Sequence, residues 1–94
     1  MIRLRHIQYF VTASEQGSFR KAANLLNIQE SAVSRRIRDL EDRLGASLFH
    51  RHSGGVSLTV AGQRFLRRVR VALQQIEDGI NDVAAIGRSE DGIV

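Results

Sequence analysis

The chain has 94 residues, 43% of them hydrophobic, and no cysteine, so its length suits one small domain with an appended element, and disulfides and thiolate-bound zinc are excluded. Its net charge of +4 is uneven, because residues 1–70 carry thirteen Lys and Arg against five acids, whereas residues 71–94 carry one Arg against five acids. The basic part favours a polyanionic partner, although a solvated arginine-rich surface has the same composition. No apolar run approaches the ~20 residues of a membrane span, so we expect a cytosolic protein.

A first helix is predicted over residues 3–16. Its expected buried face consists of Leu4, Ile7, Phe10, Val11 and Ser14. Gly17 can end this helix in a left-handed conformation. His6 falls off the apolar face and is interpreted as an exposed surface residue, since no second ligand lies at metal-binding spacing.

The stretch from Gly17 to Gly45 predicts two helices joined by a tight turn. The first begins at Phe19, with Ser18 as its N-cap and Asn27 at its end, and the second runs from about Glu30 to Leu44. Each helix offers one apolar stripe, formed by Phe19, Ala22, Ala23 and Leu26 in the first and by Val33, Ile37, Leu40 and Leu44 in the second. A helix pair with a buried inner side is typical of a helix-turn-helix.

The outer face of the second of these helices is polar and basic. It consists of Ser31, Ser34, Arg35 and Arg38. Hydroxyl and guanidinium donors suit phosphate oxygens and base edges in a major groove. The acids of the same helix are expected to pair with its arginines, namely Asp39, Glu41 and Asp42 with Arg35, Arg38 and Arg43.

Residues 47–59 predict a small hairpin with its tip at Ser53-Gly54-Gly55. His50, Arg51 and His52 precede the tip, where glycines would let the backbone approach a phosphate closely. A plain solvent-exposed hairpin fits the same pattern. The histidines have no cysteine partner and do not form a zinc motif.

A final helix is predicted from about Val60 to Gly87, capped by Thr59. Its apolar residues alternate three and four apart, as in a coiled coil, at Leu66, Val69, Leu73, Ile76, Ile80 and Val83. This seam favours self-association, and packing on the chain's own domain is the alternative. Arginines beside the seam are interpreted as a solvated face, with a phosphate contact as the alternative: Arg64, Arg67, Arg68 and Arg70. Residues 88–91 are interpreted as a polar linker, and residues 92–94 as the start of another element.

Ordered motifs along the chain carry a family resemblance. They are Leu4-Arg5-His6 with Tyr9-Phe10; Gly17-Ser18-Phe19 with Ala22-Ala23 and Leu26; Ala32-Val33-Ser34 with Ile37 and Leu40-Glu41; Leu44-Gly45; Leu48-Phe49 with Arg51; and Leu58-Thr59 with Ala61-Gly62. With these motifs the chain is similar, over essentially its whole length, to the N-terminal DNA-binding domain of LysR-type transcriptional regulators. The resemblance implies a winged helix-turn-helix over residues 1–58, a subunit-pairing linker helix over residues 59–87, and a hinge over residues 88–94 into an effector-binding domain of two α/β lobes.

Two positions depart from the family pattern. Where the family commonly has Ser-Gln-Pro or Ser-Gln-Ser at the start of the recognition helix, this chain has Gln29, Glu30 and Ser31. Glu30 can stabilise the positive helix N-terminus, which we favour, or accept a hydrogen bond from cytosine N4. Ser53-Gly54 stands where many members carry a further wing arginine, so Arg51 is the expected wing contact and insertion into the minor groove stays open.

The sequence thus predicts a mainly α winged helix-turn-helix that binds a pseudo-palindromic double-stranded DNA as a homodimer. Ser34 and Arg35 are expected at base edges, and Ser31, Arg38 and Arg51 at phosphates. The full predicted DNA-binding set is Gln29, Glu30, Ser31, Ser34, Arg35, Arg38, Arg51, His52 and Ser53. No cofactor, metal or membrane partner is expected. A small-molecule effector would act only through the further domain. Whether the full-length protein forms a tetramer is left open by the sequence. A protein-interaction module is the alternative, whereas no nucleophile–base pair or phosphate loop points to an enzyme.

Overall fold

The computed structural model describes residues 1–93, and the side chains of residues 1–89. Its elements are α1 (Leu4–Gln16), α2 (Phe19–Leu26), α3 (Glu30–Leu44), β1 (Phe49–His52), β2 (Gly55–Leu58) and α4 (Val60–Ile93). The two strands form an antiparallel hairpin in which Phe49 pairs with Leu58 and His52 with Gly55. The predicted fold class, mainly helical with a two-stranded wing and a long final helix, is confirmed.

Helices α2 and α3 begin and end at the predicted residues, because local hydrogen bonds decide these positions. The Ser18 hydroxyl accepts a hydrogen bond of 3.1 Å from the Lys21 amide and caps α2. Asn27 ends α2 with φ at 57°, and Gly17 and Gly45 end α1 and α3 with φ at 66° and 71°. Left-handed residues at these ends let the chain turn sharply into the next element.

The core is built around an aromatic cluster that joins four elements. The ring of Phe10 in α1 lies 5.6 Å from that of Phe49 in β1 and 5.2 Å from that of Phe65 in α4, between centroids. Phe19 of α2 packs edge-on against Phe49 at 5.4 Å. The predicted inner stripes of α2 and α3 surround this cluster with Ala22, Ala23, Val33, Ile37 and Leu40, all at most 2% exposed. Burial of these side chains therefore holds α3 in place with its outer face free.

The buried face of α1 differs from the predicted one. His6, Phe10 and Ala13 are buried, whereas Leu4 is 61% exposed. The prediction that His6 is a surface residue is wrong: the residue is 2% exposed, and its Nε2 lies 2.6 Å from Asp39 Oδ2 of α3. The Arg3 amide donates to Nδ1 at 2.9 Å, which leaves Nε2 as the donor to Asp39. Hydropathy spacing treats histidine as polar and so misses a buried histidine with two hydrogen-bond partners.

The wing is fastened to the helices at both of its ends. Glu41 of α3 accepts hydrogen bonds from the amides of Leu48 and Phe49 at 2.7 and 3.4 Å. Its expected pairing with an arginine of α3 is therefore wrong, because its carboxylate satisfies backbone donors at the start of the wing. At the other end Thr59 accepts from the Gly62 amide at 3.0 Å and donates to the Ser47 carbonyl at 2.7 Å, so it caps α4 as predicted.

Helix α4 continues beyond its predicted end. It runs through Gly87 to Ile93, so the described backbone is helical where a polar linker over residues 88–91 and a new element from Gly92 were expected. Val94 lies outside the described residues. Gly87 does not take a positive φ, and the chain contains no proline. An isolated glycine in a helix costs about 1 kcal/mol relative to alanine and does not by itself end the helix.

Candidate nucleic-acid interface

The outer face of α3 presents the predicted polar residues together. Gln29 is the N-cap, Glu30 lies in the first turn, and all but one of the predicted α3 residues are exposed; Ser34 is half-buried. Within residues 1–89 no carboxylate oxygen lies within 4.0 Å of the Arg35 or Arg38 guanidinium. The along-helix pairing predicted for these two arginines is therefore absent from the described residues, and both cations face outward.

Asp39 and Arg43 form the one predicted pair that the described part of α3 contains. Arg43 Nε lies 3.4 Å from Asp39 Oδ2, the same oxygen that receives the hydrogen bond from His6. Partial burial acts to raise the pKa of the Asp39 carboxyl, but the hydrogen bond from His6 and the positive charge of Arg43 outweigh it and hold this pKa below its ordinary value. The hydrogen bond between His6 and Asp39 therefore joins α1 to the C-terminal half of α3, and the N-terminal half of α3 keeps its exposed polar face.

A cleft of about 350 Å³ separates the start of α2 from the wing. Its walls include Ser18 and Arg20 from α2, Glu30 from α3, and Arg51 and His52 from the wing. The structure thus brings Glu30 of the predicted set together with the predicted wing residues. Arg20 was missed by the sequence analysis, although an exposed cation in the first turn of α2 was a usable signal for a residue near an anionic ligand.

Arg51 is directed from the wing toward α3. Its Nη1 donates a hydrogen bond of 3.1 Å to Ser34 Oγ, and its guanidinium carbon lies 4.8 Å from the centroid of the Phe19 ring. A planar guanidinium can stack on an aromatic face and donate a hydrogen bond at the same time. A side chain of the wing therefore contacts the outer face of the recognition helix directly.

The two glycines at the wing tip have different surroundings. A Cβ on Gly54 would meet only the His52 ring, at 3.5 Å, so a side chain would fit at this position. A Cβ on Gly55 would lie 2.2 Å from the Gly17 carbonyl oxygen, and the neighbouring Val56 amide donates to that oxygen at 3.0 Å. Gly55 therefore seats the wing on the turn between α1 and α2, and this close contact requires a residue without a side chain.

The predicted seam of α4 is covered by the chain itself at its start. Leu66 and Val69 are only 7% and 6% exposed, because they pack on the domain core, so the expectation that all six residues are free for a partner is wrong for these two. Leu73 is half-buried, and Ile76, Ile80 and Val83 are exposed. A groove of about 340 Å³ beside them is lined almost entirely by apolar side chains, including Leu4, Ile7, Phe65, Leu73 and Ile76.

Charge is also divided along α4. Its first half carries Arg64, Arg67, Arg68 and Arg70, and residues 77–82 carry Glu77, Asp78 and Asp82. Arg64, Arg67 and Arg68 line an open groove of about 660 Å³ together with Val71 and Ala72. The described residues contain no group of three or more potential metal ligands, and none of the described helices has both the length and the apolarity needed to cross a membrane.

Residues 4–63 match the model of the lysR family of bacterial regulatory helix-turn-helix proteins. The chain belongs to this family. It is 40% identical to the HTH-type transcriptional regulator AlsR of Bacillus subtilis (strain 168) over 99% of this chain and 31% of that protein. The chain thus spans about a third of the length of the curated relatives it matches, which are named as transcriptional regulators.

Solved structures of this lysR family share the fold. The BenM_DBD complex with catB site 1 DNA superposes with a TM-score of 0.83 and 35% identity, covering 90% of this chain and 96% of that one. Vibrio fischeri DarR in complex with DNA superposes with a TM-score of 0.79 and 34% identity, covering 94% of this chain and 30% of that one. The family expected from the motifs is confirmed, and the chain carries the fold of its DNA-binding domains.

Proposed function

We propose that this chain reads a specific sequence of double-stranded DNA, as the DNA-binding part of a homodimeric bacterial transcriptional regulator. The observation that carries the proposal is the outer face of α3, where Arg35 and Arg38 are exposed and unpaired among the described residues while the inner face is buried. An α-helix fits the major groove, which is about 12 Å wide. Related lysR-family domains of the same fold are bound to DNA in their structures.

In this proposal the residues of the surface divide into two roles. Ser34 and Arg35 contact base edges, because they lie on the outer face within the first two turns of α3, where a recognition helix meets the groove. Ser31 and Arg38 contact phosphates on either side of them. Three further residues can contact the sugar–phosphate backbone of the DNA. They are Gln29 at the N-cap of α3, and His52 and Ser53 at the exposed wing tip.

Arg35→Ala separates base reading from general attraction. We expect it to weaken binding to a selected operator by about 1 to 3 kcal/mol, with a smaller loss on random duplex, because a guanidinium that pairs with a guanine distinguishes that base. The measurement is a gel-shift titration on both duplexes at several salt concentrations. Arg88→Ala is the control, because it removes the same charge from exposed surface in the last part of α4. Equal losses on both duplexes for Arg35→Ala would show that this residue does not read a base.

The homodimer is supported by the open part of the α4 seam. Ile76, Ile80 and Val83 are 57%, 62% and 69% exposed, and they continue the apolar groove between α1 and α4. Exposed apolar side chains at heptad spacing are removed from water when a second helix packs on them, and this burial stabilises the helix pair. A second copy of the chain supplies such a helix, and a two-fold arrangement presents two recognition helices to two half-sites.

The charge division on α4 favours antiparallel pairing of the two helices. In that arrangement the basic half of one helix, residues 64–70, lies alongside the acidic residues 77–82 of the other. The apolar spacing agrees, since Leu73 of each copy then faces Ile76 of the other, and Ile80 lies over the end of the partner's groove. Parallel pairing would place like charges side by side along both halves.

Ile80→Asp tests the seam without disturbing the core, because Ile80 is exposed in the single chain. We expect the dimer dissociation constant to rise by at least about 100-fold, since each copy would bury an unpaired carboxylate. Analytical ultracentrifugation over a range of concentrations measures it. Val71→Asp is the matched control, because Val71 is 59% exposed beside the arginines and away from the seam. Identical dissociation constants for the two variants would refute the seam.

We propose that effector binding belongs to a further part of the protein, by analogy with the length of its relatives. The relative AlsR is about three times as long as this chain, which matches 31% of it. We propose that a small-molecule effector is bound by that further part, and that the helix pair of α4 transmits its state to the two recognition helices. Fusing the natural C-terminal region to this chain and measuring operator protection with and without candidate ligands tests this assignment.

A further inference from the structure

Arg51 makes two contacts in the structure that define its position. Its guanidinium lies over the Phe19 ring at 4.8 Å and donates to the Ser34 hydroxyl oxygen at 3.1 Å. Phe19 is itself 7% exposed and packs against Phe49 at the base of the wing. The contact therefore joins a wing residue, a core aromatic ring and a residue of the recognition helix.

The hydrogen bond from Arg51 changes what Ser34 can recognise. A serine hydroxyl is both a donor and an acceptor, so by itself it does not discriminate between base-edge donors and acceptors. Here one lone pair of Oγ is occupied by a positively charged donor. That charge polarises the hydroxyl toward donation and repels the amino hydrogens of adenine N6 and cytosine N4, which would otherwise donate to the same oxygen.

We infer that Arg51 is a specificity-determining residue, which fixes the wing against α3 and makes Ser34 a hydrogen-bond donor toward acceptor edges of the bases. Those acceptors are guanine N7 and O6, adenine N7 and thymine O4. This inference rests on the proposed function, and it goes beyond the role of a phosphate contact that the sequence predicts for Arg51.

A lysine at position 51 separates the two roles because it keeps the charge. The lysine ammonium can neutralise a phosphate, but it has no planar face to stack on Phe19 and no fixed geometry for the hydrogen bond to Ser34. If Arg51 only neutralises a phosphate, Arg51→Lys leaves the preference for the operator unchanged. If Arg51 orients Ser34, the variant keeps its affinity for random DNA and loses part of that preference.

The experiment uses an operator selected by the wild-type chain from randomised duplexes, and it measures affinity by gel shift on that operator and on random duplex over a range of salt. For Arg51→Lys we expect random-duplex affinity within about twofold of wild type, an unchanged salt slope, and an operator preference reduced about tenfold. Adding Ser34→Ala to Arg51→Lys should reduce the preference little further, since both changes remove one coupled contact. Arg88→Lys is the control, because Arg88 is exposed in the last part of α4, outside the proposed interface, and its preference should stay at the wild-type value.

A second measurement identifies the base edge. All single-base variants of the operator are titrated with wild type and with Ser34→Ala, and the position where the two profiles differ is the one that Ser34 contacts. The inference requires an acceptor edge there, so a preference for the amino group of cytosine at that position overturns it, as does a wild-type preference in Arg51→Lys. Failure of the proposed function is distinct, since the wild-type chain would then select no operator, and that result overturns both.

Discussion

Replacing Gly55 by alanine tests how the wing is held on the helical body. The new Cβ would lie 2.2 Å from the Gly17 carbonyl oxygen, and Gly55 has φ at +134°. The clashing oxygen is fixed, because it belongs to the backbone turn that ends α1 and also accepts the 3.0 Å hydrogen bond from the Val56 amide. Side-chain rotation cannot relieve the overlap, so the hairpin must move away from the turn.

The expected loss follows from two contributions. A non-glycine residue held in this region of backbone space costs about 1 to 3 kcal/mol. Forcing the hairpin away from Gly17 adds about 1 to 3 kcal/mol of overpacking and weakened hydrogen bonding. We expect Gly55→Ala to lower the free energy of unfolding by about 2 to 6 kcal/mol, a large part of the 5 to 15 kcal/mol typical of native domains.

Urea unfolding followed by far-ultraviolet circular dichroism, at one protein concentration for all variants, measures this loss. Gly54→Ala is the matched control, because Gly54 has no positive φ and a Cβ there would meet only the His52 ring at 3.5 Å. Its unfolding midpoint should correspond to a change within about 0.5 kcal/mol. If the two variants unfold at the same urea concentration, the contact between Gly55 and Gly17 does not hold the wing.

Two further predictions concern the helices that carry the interface. Ser18→Ala should lower the free energy of unfolding by about 1 kcal/mol, because it removes the acceptor for the Lys21 amide. Ser18→Asp is the control, because aspartate is also a good N-cap residue. An equal loss in both variants, measured by urea unfolding, would contradict this reason. The pKa of Asp39 is held below its ordinary value of 3.8, so its ionised form stabilises the fold above that pH and the contribution is lost as pH falls through the lowered pKa. The stability difference between wild type and Asp39→Asn, measured by urea unfolding, should be constant near neutral pH and shrink in acid below 3.8; a difference that does not change with pH would contradict it.

Helix positions in the first half of the chain were predictable because they depend on residues close in sequence. Ser18 caps α2 by accepting a hydrogen bond from the Lys21 amide, three residues later. Asn27 and Gly45 adopt left-handed conformations where the apolar stripes of α2 and α3 end. The spacing of the stripes in α2 and α3 specified which face is buried, and the opposite face of α3 followed from it. The end of α4 was not predictable in this way, because Gly87 only permits a helix end and does not require one.

The amino-acid sequence by itself therefore determined the order of elements, the buried faces of α2 and α3, the wing and the basic outer face that points to DNA, since each depends on periodicity or on caps a few residues apart. Tertiary structure alone decided the burial of His6, through a partner 33 residues away in Asp39, the seating of Gly55 on Gly17, and the share of the α4 seam that remains open. It also directed Arg51 of the wing to Ser34. These contacts join residues distant in sequence, and hydropathy or charge at one position does not specify which distant group the folded chain brings against it.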